Sequence, residues 1–225
     1  LLASSAASDV YKRQHDACRK IAILTSLISG QHVDFEKIHT EGITKITTED
    51  MKYAKKLNMA IKLLASSKRV GDTFSVLVAP MLLSEEHPLC NVNDVFNAVF
   101  VRGNMLGDAM FYGSGAGKLP TASAVVADVV DAAKHLHRNV VTRWDAGELE
   151  LIPNAEAEHR FFVRVQGRSE AQKEQIREAF GSVEIVETEG LEDEFGFITE
   201  VMTEGTYSKK AEAFPEIIHM IRLAD

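Results

Sequence analysis

Residues 59–79 read MAIKLLASSKRVGDTFSVLVA. Two apolar runs, 59–66 and 73–79, flank Arg69-Val70-Gly71-Asp72, and a short polar turn between runs of strand length predicts neighbouring strands. The pattern repeats downstream, where 95–102 and 108–112 flank Gly103-Asn104 and Gly107. A mostly antiparallel sheet is the natural reading.

Helical periods lie on either side. From Asp16, the residues Ile21, Leu24 and Ile28, with Ala22 and Leu27 between them, recur at helical spacing until Ser29-Gly30 supplies a stop. Glu41-Gly42-Ile43 is a short β-prone piece. Thr48-Glu49-Asp50 then opens a second helix, with a hydroxyl to cap free N–H groups and acids at the positive end of the dipole, and Asn58 suits a left-handed stop. After glycines at 113, 115 and 117, Ala and Val recur at helical spacing over 120–136. Residues 139–158 follow neither period and read as a connecting stretch. From Arg160 onward the order is strand 161–165, helix 169–180, strands 183–187 and 196–202, helix 207–214 and strand 217–223, which is the ferredoxin-like βαββαβ arrangement.

The predicted fold class is therefore α+β. A mixed or antiparallel sheet packed with helices occupies 15–143, a linker 144–158, and a ferredoxin-like unit 159–225. Residues 1–14 (LLASSAASDVYKRQ) are rich in Ala and Ser, lack a sustained period, and resemble a translated adapter scar. They are expected to stand outside the fold, as a foreign or a disordered segment.

Composition narrows the function classes. With 45% hydrophobic and 26% charged residues the chain can bury a core, and its net charge of −8 without a basic cluster argues against nucleic acid. No apolar run approaches the roughly 18 residues of a membrane span, and no signal-peptide order opens the chain. Two cysteines, Cys18 and Cys90, belong to no CxxC pair, and the eight histidines form no ligand-spaced pair, so a metal site is not expected. A reducing cytoplasm fits.

Three features can carry chemistry. Asp16 and Lys20 stand one helical turn apart, acid first, as in a surface salt bridge or a site pair. Gly113-Ser114-Gly115-Ala116-Gly117-Lys118-Leu119-Pro120-Thr121 has neither Rossmann nor Walker spacing, yet bare backbone leading into a helix allows close ligand approach as well as a plain tight turn. His87-Pro88 lies in a polar loop, where a histidine can titrate near neutrality or simply serve structure.

Taken in order, Asp16-Ala17-Cys18-Arg19-Lys20, Glu41-Gly42-Ile43, Ile61-Lys62-Leu63-Leu64, His87-Pro88-Leu89, Asn97-Ala98-Val99 and GSGAGKLPTASAVVAD at 113–128 resemble the homoserine dehydrogenase family. The resemblance covers about residues 15–145, and the C-terminal unit is similar to the ACT domain, a small ligand-sensing module. It implies interconversion of L-aspartate 4-semialdehyde and L-homoserine with NADP or NAD, on the way to threonine and methionine. By the same resemblance Asp16 holds substrate, Lys20 moves the proton that accompanies hydride transfer, and His87 gates or positions near the substrate. Gly117, with Gly115 beside it, meets the cofactor. The family further implies a homodimer when full length and L-threonine as an effector of the ACT-like unit, although Gln166-Gly167-Arg168-Ser169 replaces the usual Asp-Arg-Pro-Gly run there.

On that resemblance a Rossmann domain, a second active-site lysine and an alkali-metal site precede residue 15, and Gln14 stands where the family has a glycine. The chain alone is thus expected to bind NAD(P) poorly and to be inactive. The alternative from another class is a free-standing ligand-sensing or interaction protein that carries a relict dehydrogenase domain.

Overall fold

The computed structural model describes residues 2–4, 10–115, 117–139, 141 and 144–224. In chain order the first part comprises β1 (Leu2–Ser4), α1 (Val10–Ser29), β2 (His39–Thr40), α2 (Thr48–Lys56), β3 (Met59–Val70), β4 (Thr73–Ser84), β5 (Phe96–Gly103), β6 (Gly107–Ser114) and α3 (Lys118–Lys134). The second comprises β7 (Glu158–His159), β8 (Phe161–Gln166), α4 (Glu170–Phe180), β9 (Glu184–Val186), β10 (Glu194–Ile198), β11 (Met202–Thr203), α5 (Glu204–Ala211) and β12 (Ile217–Leu223). Among the described residues no helix is long and apolar enough to cross a membrane.

Both predicted hairpins form. β3 and β4 pair antiparallel from Met59↔Ser84 to Val70↔Thr73, and β5 and β6 pair from Phe96↔Ser114 to Gly103↔Gly107. Gly71 closes the first turn at φ 61°, a left-handed position that suits a residue without Cβ. β4 is buried on both faces, which is why its sequence is almost continuously apolar instead of alternating. Phe74, Val76 and Val78 meet Cys18, Ile21 and Ala22 of α1, while Leu77, Ala79, Met81 and Leu83 pack with Leu89, Val92 and Phe100 on the other side.

The sheet is mixed because of the far edge of β4. β2 pairs parallel to it at Leu77 and Val78, and β12 pairs parallel to it at Met81 and Leu82. Pro80, which has no N–H to give, falls between these two short ladders, where a missing donor breaks no pairing. Through β12 the C-terminal strands join the same sheet, in the order β6-β5-β1-β3-β4-β12-β8-β10-β9.

Within that order β12-β8-β10-β9 is an antiparallel βαββαβ sheet, as the sequence predicts. Its Phe161, Val163 and Val165 face α4 and α5 through Ile176, Phe180 and Tyr207. The opposite face, with Phe162, Ile198 and Ile221, is covered by Tyr53 and Ala54 of α2, a helix from the N-terminal unit. The predicted linker also packs on its neighbours: Asp145, Leu149 and Ile152 donate backbone hydrogen bonds to Gly30, His32 and Phe74, and Leu149 enters the core against α1. The predicted boundary at residue 143 lies outside the described residues.

The N-terminus departs from expectation. Leu2–Ser4 forms β1 between β3 and β5, and α1 starts at Val10 instead of Asp16. Backbone N–H and C=O groups of two open strand edges can be met by any extended chain, so this pairing needs no apolar pattern in the inserted segment. Residues 5–9 of the stretch expected to stand outside the fold are not among those described.

Buried ions join the two units. Arg164, on the α2-facing side of β8, donates to Glu194 at 2.8 and 3.0 Å and to Asp50 of α2 at 2.8 Å, and it also bonds the Thr47 hydroxyl at 3.0 Å. Thr47 and Asp50 form the capping box of α2, so Arg164 grips a helix N-terminus. Burial pushes the Asp50 carboxyl up, but hydrogen bonds from His219, Arg164 and the Thr47 N–H outweigh it and hold it at about 2. Replacing Arg164 by Met would strand two buried acids, with an expected cost of about 3–5 kcal/mol, read as a lower urea midpoint. Because the Asp50 side chain is 0% exposed and its carboxyl is lowered from 3.8 to about 2, roughly 2 kcal/mol of stability present above pH 4 should be lost as pH falls toward 2. Thermal unfolding across pH 6 to 2 measures it, and Asp50→Asn should flatten that slope.

Candidate active site

Asp16 and Lys20 form an ion pair of 2.7 Å on α1, with side chains 57% and 60% exposed. The opposite face of the helix is anchored. Cys18, Ile21 and Ala22 are buried, Thr25 donates to the Ser67 hydroxyl at 2.8 Å, and the Ser26 hydroxyl accepts from the Val33 N–H at 3.0 Å. An exposed polar pair is thus carried on a rigid support. Along the same outer side, Ile23 and Leu27 remain largely exposed, an apolar continuation that an ordinary solvated helix face lacks.

The glycine loop opens α3. Gly117 is its N-cap at φ 129°, a conformation side chains rarely adopt, and its carbonyl accepts from the Thr121 N–H at 3.1 Å. At Gly115 a Cβ would lie 1.5 Å from the Asn97 amide nitrogen, so any larger residue there would have to displace that side chain. Ala116 lies outside the described residues. No residue of α3 is buried, and Leu119, Val125, Val126 and Val129 all face outward.

His87 is elsewhere. Its Nδ1 accepts from the Leu89 N–H at 3.1 Å, capping the 3-10 turn Pro88–Asn91, and its ring meets Phe100 edge-on at 4.6 Å. With Nδ1 accepting, the proton of the neutral ring sits on Nε2, which is buried without a hydrogen-bond partner among the described residues. Burial, then the charge of Arg102, lowers its pKa. Phe100 and Leu89 belong to the sheet face opposite α1, so within this chain the sheet separates His87 from Asp16 and Lys20. What this chain shows of His87 is a ring that caps the Pro88–Asn91 turn, on the sheet face away from the pair.

Glu41, which has no partner nameable from sequence, is at the centre of a second ion cluster. Arg222 of β12 donates to it at 2.7 and 3.0 Å and is shared with Glu204 of α5, while the His39 imidazole lies 2.6 Å from the same carboxylate. Burial raises the Glu41 carboxyl, and the bonds from His39 and Arg222 more than reverse this, to about 2. His39, Glu41 and Glu204 bring potential metal-ligand atoms within 4.8 Å of one another, but the guanidinium of Arg222 already supplies the cation there. Glu41 and Arg222 are 181 residues apart in sequence, and no local signal marks that pairing.

The Gly167 turn of the C-terminal unit is filled from within. At φ 104° it donates its N–H to Asp193, and a Cβ would meet the Gln172 amide oxygen at 2.4 Å. The Gln172 amide in turn bonds Gln166 and the capping Ser169.

Known proteins resemble this chain in sequence and in fold. The family profile described as homoserine dehydrogenase matches residues 8–130. A homoserine dehydrogenase of Neisseria gonorrhoeae is 37% identical over 164 residues, 69% of this chain and 38% of its own length. One from Mycobacterium bovis is 33% identical over 223 residues, 90% of this chain and 51% of its own. The crystal structure of a Thiobacillus denitrificans homoserine dehydrogenase superposes with a TM-score of 0.81 at 30% identity, over 93% of this chain and 53% of that one. That likeness runs through the C-terminal unit as well as the sheet that carries α1. The chain spans about half or less of the relatives it matches, and it belongs to the homoserine dehydrogenase family.

Proposed function

We propose that this chain is the substrate-side half of an NAD(P)-dependent homoserine dehydrogenase, which interconverts L-homoserine and L-aspartate 4-semialdehyde. The observation that carries the reading is the Asp16–Lys20 pair, solvent-facing on a helix whose other side is locked into the core, in a chain of that family. NADP or NAD, when bound, supplies or accepts the hydride. Asp16 offers a carboxylate to the N–H or O–H hydrogens of the substrate. Lys20, held by Asp16, gives a proton to the aldehyde oxygen as the carbon gains hydride, and takes it back from the alcohol in the reverse direction.

What this chain's residues offer a nicotinamide cofactor is limited. Gly117 presents bare backbone at the start of α3, and the first-turn N–H groups of Lys118 and Leu119 have no side-chain cap. These fit contact with one polar edge of a dinucleotide. The parallel pairs between named strands among the described residues, β2–β4 and β12–β4, build no Rossmann unit, which supports a main grip on the cofactor from sequence outside this chain. The exposed Ile23, Leu27, Val125 and Val129 support the same reading as surface shaped for cover.

The purified chain should show no NAD(P)-dependent homoserine oxidation, and fusion to the N-terminal half of a family relative should restore it. In that fusion Lys20→Ala should lower kcat about 100-fold or more. Full activity of the Lys20→Ala fusion removes the assignment. L-threonine is the effector expected for the C-terminal unit, yet Gln172 fills the Gly167 turn. A calorimetric titration of the chain with millimolar threonine should therefore give no binding heat, whereas Gln172→Ala should be needed before any appears.

A further inference from the structure

We propose that Arg222 is a positioning residue for the Asp16–Lys20 pair, holding through Glu41 the short segment on which that turn of α1 is seated. The role rests on the reading of Asp16 and Lys20 as site residues. Arg222 is 1% exposed and comes from the last strand of the C-terminal unit, yet two of its donors reach Glu41, the residue directly after β2. Glu41 is itself fixed to the sheet, its N–H donating to Val78 at 2.7 Å. The segment from Phe35 to Glu41 lies beneath α1 at one point above all. The Cys18 thiol donates to the Phe35 carbonyl at 3.3 Å and faces the Thr40 hydroxyl, Ile38 packs in the same core, and the Arg19 guanidinium lies 5.3 Å over the Phe35 ring.

Cys18 sits between Asp16 and Lys20 in sequence and points the other way, so whatever moves the seat of Cys18 tilts the turn that carries both. Arg222 is the member of this chain of contacts that belongs to the C-terminal unit. Its second acid, Glu204, keeps the guanidinium in place when Glu41 is changed, so the link can be cut without emptying the cluster.

The test uses the whole chain with Cys90→Ser, which leaves Cys18 as its one thiol. Alkylation of Cys18 by iodoacetamide under native conditions reports the seat, and hydrogen exchange over residues 16–22 reports the turn. Glu41→Gln should raise the Cys18 alkylation rate by about tenfold and exchange at 16–22 likewise, as expected for loss of roughly one charge-assisted bond. Arg222→Met should do the same or more, and Arg222→Lys should recover part of the protection. Arg164→Met, which cuts the other buried ion cluster, should leave Cys18 slow at matched distance below the unfolding midpoint. Unchanged alkylation in Glu41→Gln, or an equal rise in Arg164→Met, overturns the proposal. Neither readout needs substrate turnover, so failure of the positioning role and failure of the dehydrogenase reading are separable.

Discussion

One edge of β4 is divided between two halves of the chain. An internal strand must satisfy donors and acceptors on both sides, and β3 takes one side along its full length. The other side is met first by β2 and then by β12, each over two residues. Neither ladder is long enough to hold a unit in place by itself. Each is therefore backed by charge, with Glu41 at the end of β2 facing Arg222 within β12, and α2 and β8 gripping each other through Asp50 and Arg164. Desolvation makes such ions costly when unpaired, which turns the joint into an all-or-none fit instead of a loose docking.

Much of this was readable from residues that act locally. The polar turn at 69–72 between apolar runs gives the long hairpin, and Thr48-Glu49-Asp50 marks the start of α2, although the capping hydroxyl is that of Thr47, one residue earlier. The order of elements after Arg160 gives the ferredoxin-like strand order. What sequence could not show is who shares an edge with whom. The apolar run of β4 is compatible with two buried faces but does not say that strands from either end of the chain complete its far side. Arg164 in Phe161-Phe162-Val163-Arg164-Val165 is an anomaly in a strand pattern until α2 is placed over it.

The site divides in the same way. Spacing made Asp16 and Lys20 a pair, and their 2.7 Å contact bears out the geometry of that spacing. Their meaning came from elsewhere, since an exposed pair at this separation is worth little by itself. His87 stands apart from them. Its ring caps a turn within this chain, and the sheet lies between it and α1. Glu41 was silent in sequence because its partner is brought by the last strand, which no window of neighbouring residues contains.

The covering of the ferredoxin-like sheet by α2 has a consequence for how such a chain can change over evolutionary time. A small appended module is usually pictured as a bead, gained or lost at a gene's end without cost to what precedes it. Here the module's second face is roofed by a helix of its host, and its last strand completes the host's own sheet. Deletion would leave Tyr53, Ala54 and Leu82 facing water and an open strand edge where β12 had been. A lineage could remodel the Gly167 turn, which Gln172 fills here, while being obliged to keep the backbone of the unit that carries it.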